Sequence, residues 1–223
     1  ADVHWGEQSA ILCGIAELER RGAARDRVGV IGPMGFRAYQ ALAEKFGRIA
    51  DLNRAYIGLR QVKSAEEIDW LRIGAALSDR GMLALRDGLR AGLTERELGD
   101  IVERGYVAFG GTTVIHFIGV TPMAAPRLGV PTQFAANRKV AAGDLVFAEI
   151  SAAFWDYPGQ VLRSFTLGAE PTQLYRDLHA AADAAFAAVA AVLKAGALPR
   201  EVIEAAGVIE AAGFTIIDDL LHG

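Results

Sequence analysis

Apolar positions recur at helical spacing in Glu7–Arg21, where Ile11, Ile15 and Leu18 line one face and Gly22 follows the charged end. Val28–Ile31 is a short apolar run closed by Gly32-Pro33 and reads as a strand. Phe36–Phe46 returns to helical spacing, and Ile49–Leu52 fits a second strand. Helix and strand alternate over about 60 residues, the pattern of a small α/β unit. Arg60–Ser64 marks a boundary. Ser64-Ala-Glu-Glu67 is a capping box that predicts a long helix to about Arg90, with Ile68, Leu71, Ala75, Met82 and Leu85 on its apolar face. A second capping box, Thr94-Glu-Arg-Glu97, predicts another helix to about Phe109, stopped by Gly110-Gly111.

The pattern then changes. Thr112–Val120 is β-branched and apolar, and Leu145–Ala153 and Gln160–Leu167 are strand-like, with turn chemistry at Asp156-Tyr-Pro-Gly159. Thr121–Arg138 is irregular and carries three prolines; a long irregular stretch inside a compact domain is often functional. Helices are expected at Thr172–Leu193 and Pro199–Ala212, and a strand at Phe214–Ile217. The order helix, helix, strands, helix, helix, strand predicts an α+β domain over 63–223, behind an α/β unit over 1–62.

Composition narrows the field. The chain has 223 residues, is 52% hydrophobic and 22% charged, and carries a net charge of -4. It shows no basic stripe, so no nucleic-acid partner is expected. No apolar run reaches the roughly 18 residues that cross a bilayer, and no signal peptide is visible, so no membrane partner is expected and the cytoplasm is the default. The single cysteine, Cys13, cannot form an internal disulfide and reads as a small buried hydrophobe.

One constellation carries more information. Gly143-Asp-Leu-Val-Phe-Ala-Glu149, Tyr157, Gln160, Arg163-Ser-Phe165 and Gly168 follow one another at fixed spacing. This stretch resembles the central hairpin of the creatinase, prolidase and aminopeptidase P family. There a Gly-Asp pair leads a strand bearing a metal-binding aspartate, and a second aspartate follows 11 residues later, shortly before an arginine. Arg60, Val62-Lys-Ser64 and Leu93-Thr-Glu95 extend the similarity over nearly the whole chain. The resemblance implies a pita-bread C-terminal domain that normally continues past Gly223, a larger N-terminal domain of which 1–62 is part, and a homodimer.

The family's metallopeptidases hold two divalent metals with two aspartates, a histidine and two glutamates. Glu149 and Gln160 stand at the two aspartate positions here. Gln160 is neutral and a poor bridging ligand, so no cofactor is expected unless ligands for a metal such as Mn, Co or Zn follow Gly223. A hairpin centred near Phe154-Trp155 would set residues 149 and 160 directly opposite each other, though the turn signals at Asp156–Gly159 sit off-centre and a bulge there could be needed. The family's catalytic histidine maps to Thr132, or to Gln133 if the register slips by one. His116 reads as a satisfied core histidine, or as a pocket residue that replaces the lost one. His222 resembles the family histidine that precedes a metal-binding Gly-His segment by a few residues, or that ligand itself, or is a terminal residue. Arg163 could fix a carboxylate, of Glu149 or of substrate; a structural role fits it as well. Trp155 and Tyr157 could line the pocket but are expected to pack in the core, and His4 and His179 to lie on the surface.

These residues leave three functions open. The first is a metal-independent, creatinase-like hydrolase of a C–N bond in a small amide, guanidino or peptide-like substrate. Its catalytic residues would be Glu149, Gln160 and His222, with Thr132, Gln133, His116 and Arg163 binding substrate. The others are a non-catalytic pita-bread binding module and an Xaa-Pro peptidase with an altered metal site.

Overall fold

A computed structural model describes residues 7–217, with side chains from residue 10 onward. It divides into two compact units, residues 1–68 and 69–223.

In the first unit, α1 (Glu7–Arg20) and α2 (Phe36–Phe46) flank two short parallel strands, β1 (Gly29–Val30) and β2 (Ala50–Asp51). Ile11, Ile15 and Leu18 pack on a small core of Val28, Leu42 and Phe46, as their helical spacing requires. Cys13 lies half-exposed on α1, not buried. A third helix, α3 (Asn53–Gln61), occupies the stretch before the boundary. None of its residues is buried, so no apolar stripe announced it.

α4 (Ala65–Gly88) opens on its capping box: Glu67 N–H donates to Ser64 Oγ at 3.2 Å, and Ser64 N–H to the Glu67 carboxylate at 2.7 Å. α5 (Glu95–Tyr106) opens the same way on Thr94 and Glu97, then tightens into a 3-10 turn over Val107–Phe109. β3 (Thr112–Pro122), β4 (Asp144–Phe154) and β5 (Tyr157–Thr166) form an antiparallel sheet in the order β3-β4-β5. One face of that sheet packs Val146, Ala148, Ile150 and Ala152 against Leu77 and Leu85 of α4 and Leu98, Val102 and Tyr106 of α5. This is the main core.

The buried face of α4 in this unit is Gly74, Leu77, Ser78, Gly81, Met82 and Leu85, while Ile68 stays 40% exposed. Small residues therefore share the stripe with the large ones. α6 (Gln173–Val192), α7 (Pro199–Ala206) and α8 (Val208–Ala211) pack together through Val189, Val202 and Ala206, with the expected single helix broken at Gly207. Phe214–Ile217 forms no strand; among the described residues nothing pairs with it. No described helix is long and apolar enough to cross a membrane.

Candidate functional site

The hairpin turns on Trp155 and Asp156 alone, with φ of 48° and 62°. Both sit in the left-handed region that a two-residue turn of the I′ kind demands. Tyr157, Pro158 and Gly159 are thus strand residues, and the turn expected at Asp156–Gly159 moves back toward Trp155. Pro158 is tolerated because β5 is an edge strand. Trp155, expected in the core, is 75% exposed at the tip, whereas Tyr157 packs its ring 5.1 Å from that of Trp70.

This turn corrects the register. Phe154 pairs with Tyr157, so Glu149 lies opposite Leu162 and Phe117, and Gln160 opposite Ser151. Glu149 and Gln160 are diagonal neighbours on one face, not directly opposed. Long side chains span a diagonal, and Gln160 Nε2 donates to Glu149 Oε1. A carboxylate only accepts, so the amide must present its NH2 to Glu149 and turn its own oxygen elsewhere.

Strand alternation sorts the remaining candidates. Arg163 pairs with Ala148, on the opposite face, and donates to Leu162 O at 2.7 Å. It does not clamp Glu149. His116 pairs with Ile150 and also lies on the helix-covered face, away from Glu149. Its Nε2 is 2.7 Å from the Tyr106 hydroxyl and its Nδ1 is 3.7 Å from Glu103. Burial pushes the His116 pKa down, and the Glu103 charge offsets only part of that. Thr132 bridges Ile118 at the free edge of β3, and its hydroxyl donates to Phe134 O at 3.1 Å. Gln133 is the next residue and is exposed. His4 and His222 lie outside the described residues. His179 is exposed and lies 3.5 Å from Asp183.

Sequence reasoning missed three charged residues around the chain between β3 and β4. Asp144 is 1% exposed and accepts both arms of the Arg138 guanidinium at 2.7 Å, with the Ala141 amide at 2.7 Å. Burial opposes its ionisation, but the Arg138 hydrogen bonds, the Ala141 amide and the Arg138 charge outweigh it and hold the carboxyl below its usual range. Glu95 is 3% exposed and accepts from the amides of Val120 and Ala136. The available signal was periodicity: Glu95 leads Leu98, Val102 and Tyr106 on the buried stripe of α5. A shallow depression lined by Asp100, Glu103, Arg104, Val107 and Ala108 lies on α5 and the turn after it and includes neither Glu149 nor Gln160.

The donors near Glu149 can be tested against a dinuclear centre, which needs bridging carboxylates. One carboxylate and one amide already committed to it do not fit. Among the described residues, no group of three or more His, Cys, Asp or Glu is placed to hold a metal ion.

Comparison with known proteins supplies the wider frame. An uncharacterized hydrolase/peptidase of Sinorhizobium fredii, y4tL, is 27% identical over 204 residues, covering 88% of this chain and 51% of that protein. The solved Xaa-Pro dipeptidase from Bacillus anthracis matches with a TM-score of 0.77 at 21% identity, over 94% of this chain and 58% of that one. The X-Pro aminopeptidase of Thermotoga maritima gives 0.75 at 18% identity, over 95% and 59%. The chain thus spans about half the length of the relatives it matches, and those structures share the pita-bread fold expected for it. The model of metallopeptidase family M24 matches residues 69–223. With that match covering the whole second unit, the chain belongs to metallopeptidase family M24.

Proposed function

We propose that this chain carries the site of a metal-independent, creatinase-like hydrolase acting on a C–N bond in a small amide, guanidino or peptide-like substrate. The observation that supports it is the Gln160–Glu149 hydrogen bond. It leaves the second carboxylate oxygen and the amide oxygen as acceptors. Such a pair suits a cationic group rich in N–H donors, which a guanidinium supplies. Water then adds across the C–N bond: a C–O bond forms, the C–N bond breaks, and the leaving nitrogen takes a proton. Glu149 holds the substrate cation and Gln160 holds Glu149. His222 is the group assigned to the proton transfer.

The names of the similar proteins favour a second reading, an Xaa-Pro peptidase. Gln160 weighs against it, because it removes a bridging charge. The test is turnover by purified protein after EDTA treatment, against guanidinoacetate and simple amides, and against Ala-Pro with and without Mn²⁺. Metal-free release of amine or urea supports the hydrolase. Turnover of Ala-Pro only after Mn²⁺ addition overturns it, and no turnover of any substrate leaves a binding module. Cytoplasmic placement and a homodimer belong to the same proposal; light scattering checks the dimer.

A further inference from the structure

Glu149 stands in a row of three. Phe117 lies directly opposite it on β3, and Leu162 directly opposite it on β5. Strand alternation puts all three side chains on the sheet face turned away from α4 and α5. Phe147, two residues before Glu149, shares that face. The tip of its ring lies over Gly119 of β3, where a β-carbon would come within 2.6 Å of it. The carboxylate is therefore bordered by aromatic side chains toward β3 and by an aliphatic one toward β5. Leu162 is 55% exposed, so the row opens to solvent.

The other strand positions on this face carry no charge. Among the described residues Glu149 has a neutral partner, the Gln160 amide, and no Lys, Arg or His pairs with it. A carboxylate with apolar sides and no cation of its own favours a cation from outside. The walls then select its shape. β3 and β5 are two strand spacings apart, about 9.5 Å. A side-chain surface holds whatever packs on it at about 3.5–4 Å, so Phe117 and Leu162 leave room for one flat layer between them. An amidinium or guanidinium standing edge-on to Glu149 would present N–H groups to the free carboxylate oxygen and the Gln160 oxygen, and its two weakly hydrated faces to the walls. A tetrahedral ammonium has no such faces and is more strongly hydrated.

We propose that Phe117 and Leu162 are specificity-determining residues: they wall a slot over Glu149 that takes a planar, delocalised cation, an amidinium or guanidinium, edge-on to the carboxylate. The slot rests on the reading of Glu149 as the group that holds the substrate, and it narrows that substrate to one chemical class.

NMR titration of the full chain with three small probes tests it. Acetamidinium is planar and charged, acetamide is planar and neutral, and ethylammonium is charged without a plane. Acetamidinium should bind about tenfold or more tighter than either of the others. Phe117→Leu keeps an apolar wall but removes the ring, and should weaken acetamidinium about three- to tenfold while ethylammonium stays within about twofold. Should Phe117→Leu not fold, Leu162→Ser on the exposed edge strand takes its place, with a loss of about threefold expected. No binding of acetamidinium, equal binding of ethylammonium or acetamide, or an unchanged affinity in the variant overturns the slot. Turnover separates it from the hydrolase. If acetamidinium binds as expected but neither guanidinoacetate nor a simple amide is hydrolysed, the slot stands and the hydrolase falls. If guanidinoacetate is hydrolysed with the same KM in wild type and Phe117→Leu, the hydrolase stands and the slot falls.

Discussion

Gly74 of α4 and Gly159 of β5 meet with no side chain between them. A β-carbon on Gly74 would overlap the Tyr157 carbonyl oxygen, and one on Gly159 would overlap the backbone of Ala75. Ser78, one turn along, accepts from the Ala152 amide at 2.8 Å and donates to Gly159 O. The helix therefore rests directly on the hairpin that carries Glu149 and Gln160.

Gly74→Ala should accordingly destabilise the second unit even though alanine favours helix. Overpacking against backbone costs about 1–3 kcal/mol or more, which outweighs the roughly 1 kcal/mol of helix propensity gained. A fall in Tm of about 3–8 °C is expected. An equal or higher Tm would show that the helix and hairpin can separate freely.

The same contact explains what could be read from the chain. Both capping boxes and the apolar spacing of α1 and α5 were legible, because each is written in neighbouring residues. The stripe of α4 was only half legible, because Gly74, Ser78 and Gly81 carry no hydrophobic signal and their burial depends on partners remote in the chain, the hairpin for Gly74 and Ser78 and Val102 and Tyr106 of α5 for Gly81. The hairpin register failed for a related reason. A turn at Trp155-Asp156 lacks glycine, and Pro158-Gly159 mimics one. Shifting the turn moved Gln160 from opposite Glu149 to diagonal, yet strand alternation kept both on one face. That alternation also separated Arg163 and His116 from them, which residue type alone could not foretell.

Asp144→Asn should be costly. It leaves the Arg138 guanidinium facing a neutral amide, and breaking a buried pair costs about 3–5 kcal/mol. Arg138 is 36% exposed, so water recovers part of that and a loss of about 2–3 kcal/mol is expected. The native carboxyl has a depressed pKa. Its contribution is complete above the unfolded value near 4 and is lost as pH falls through the folded value. Acid titration followed by circular dichroism should show a loss below about pH 4 in the wild type that is smaller in Asp144→Asn.

His116 gives a second pH signature of the same sign at higher pH. Thr113 donates to Glu103 at 3.0 Å, so its oxygen accepts from the Tyr106 hydroxyl, which in turn accepts from His116 Nε2–H. Nδ1 is left as the site for an added proton, facing Glu103. Burial keeps the folded pKa below its ordinary value. The unfolded chain therefore takes the proton first, and stability falls as pH drops from about 6.5. In His116→Phe this slope should disappear between pH 7 and 5, and stability at pH 7 should fall by the loss of one buried hydrogen bond, about 1 kcal/mol. A slope that persists in the variant would assign it to another group.

Gln160→Asp tests the meaning of the altered site most directly. The substitution removes the donor that Glu149 accepts and sets a second carboxylate on the same diagonal. Without metal the two charges repel, and a loss of about 1 kcal/mol at neutral pH is expected. A hard divalent cation reverses the sign, because two anionic oxygens now converge where the wild type offers one carboxylate and one amide. Calorimetric titration with Mn²⁺ should show binding about tenfold tighter or more in Gln160→Asp than in the wild type. Saturating Mn²⁺ should raise the variant's Tm and leave the wild type's unchanged. If wild-type protein already bound two Mn²⁺ tightly, Gln160 would not be the residue that sets this chain apart from its metal-binding relatives, and the metal-free reading of Glu149 would have to be abandoned.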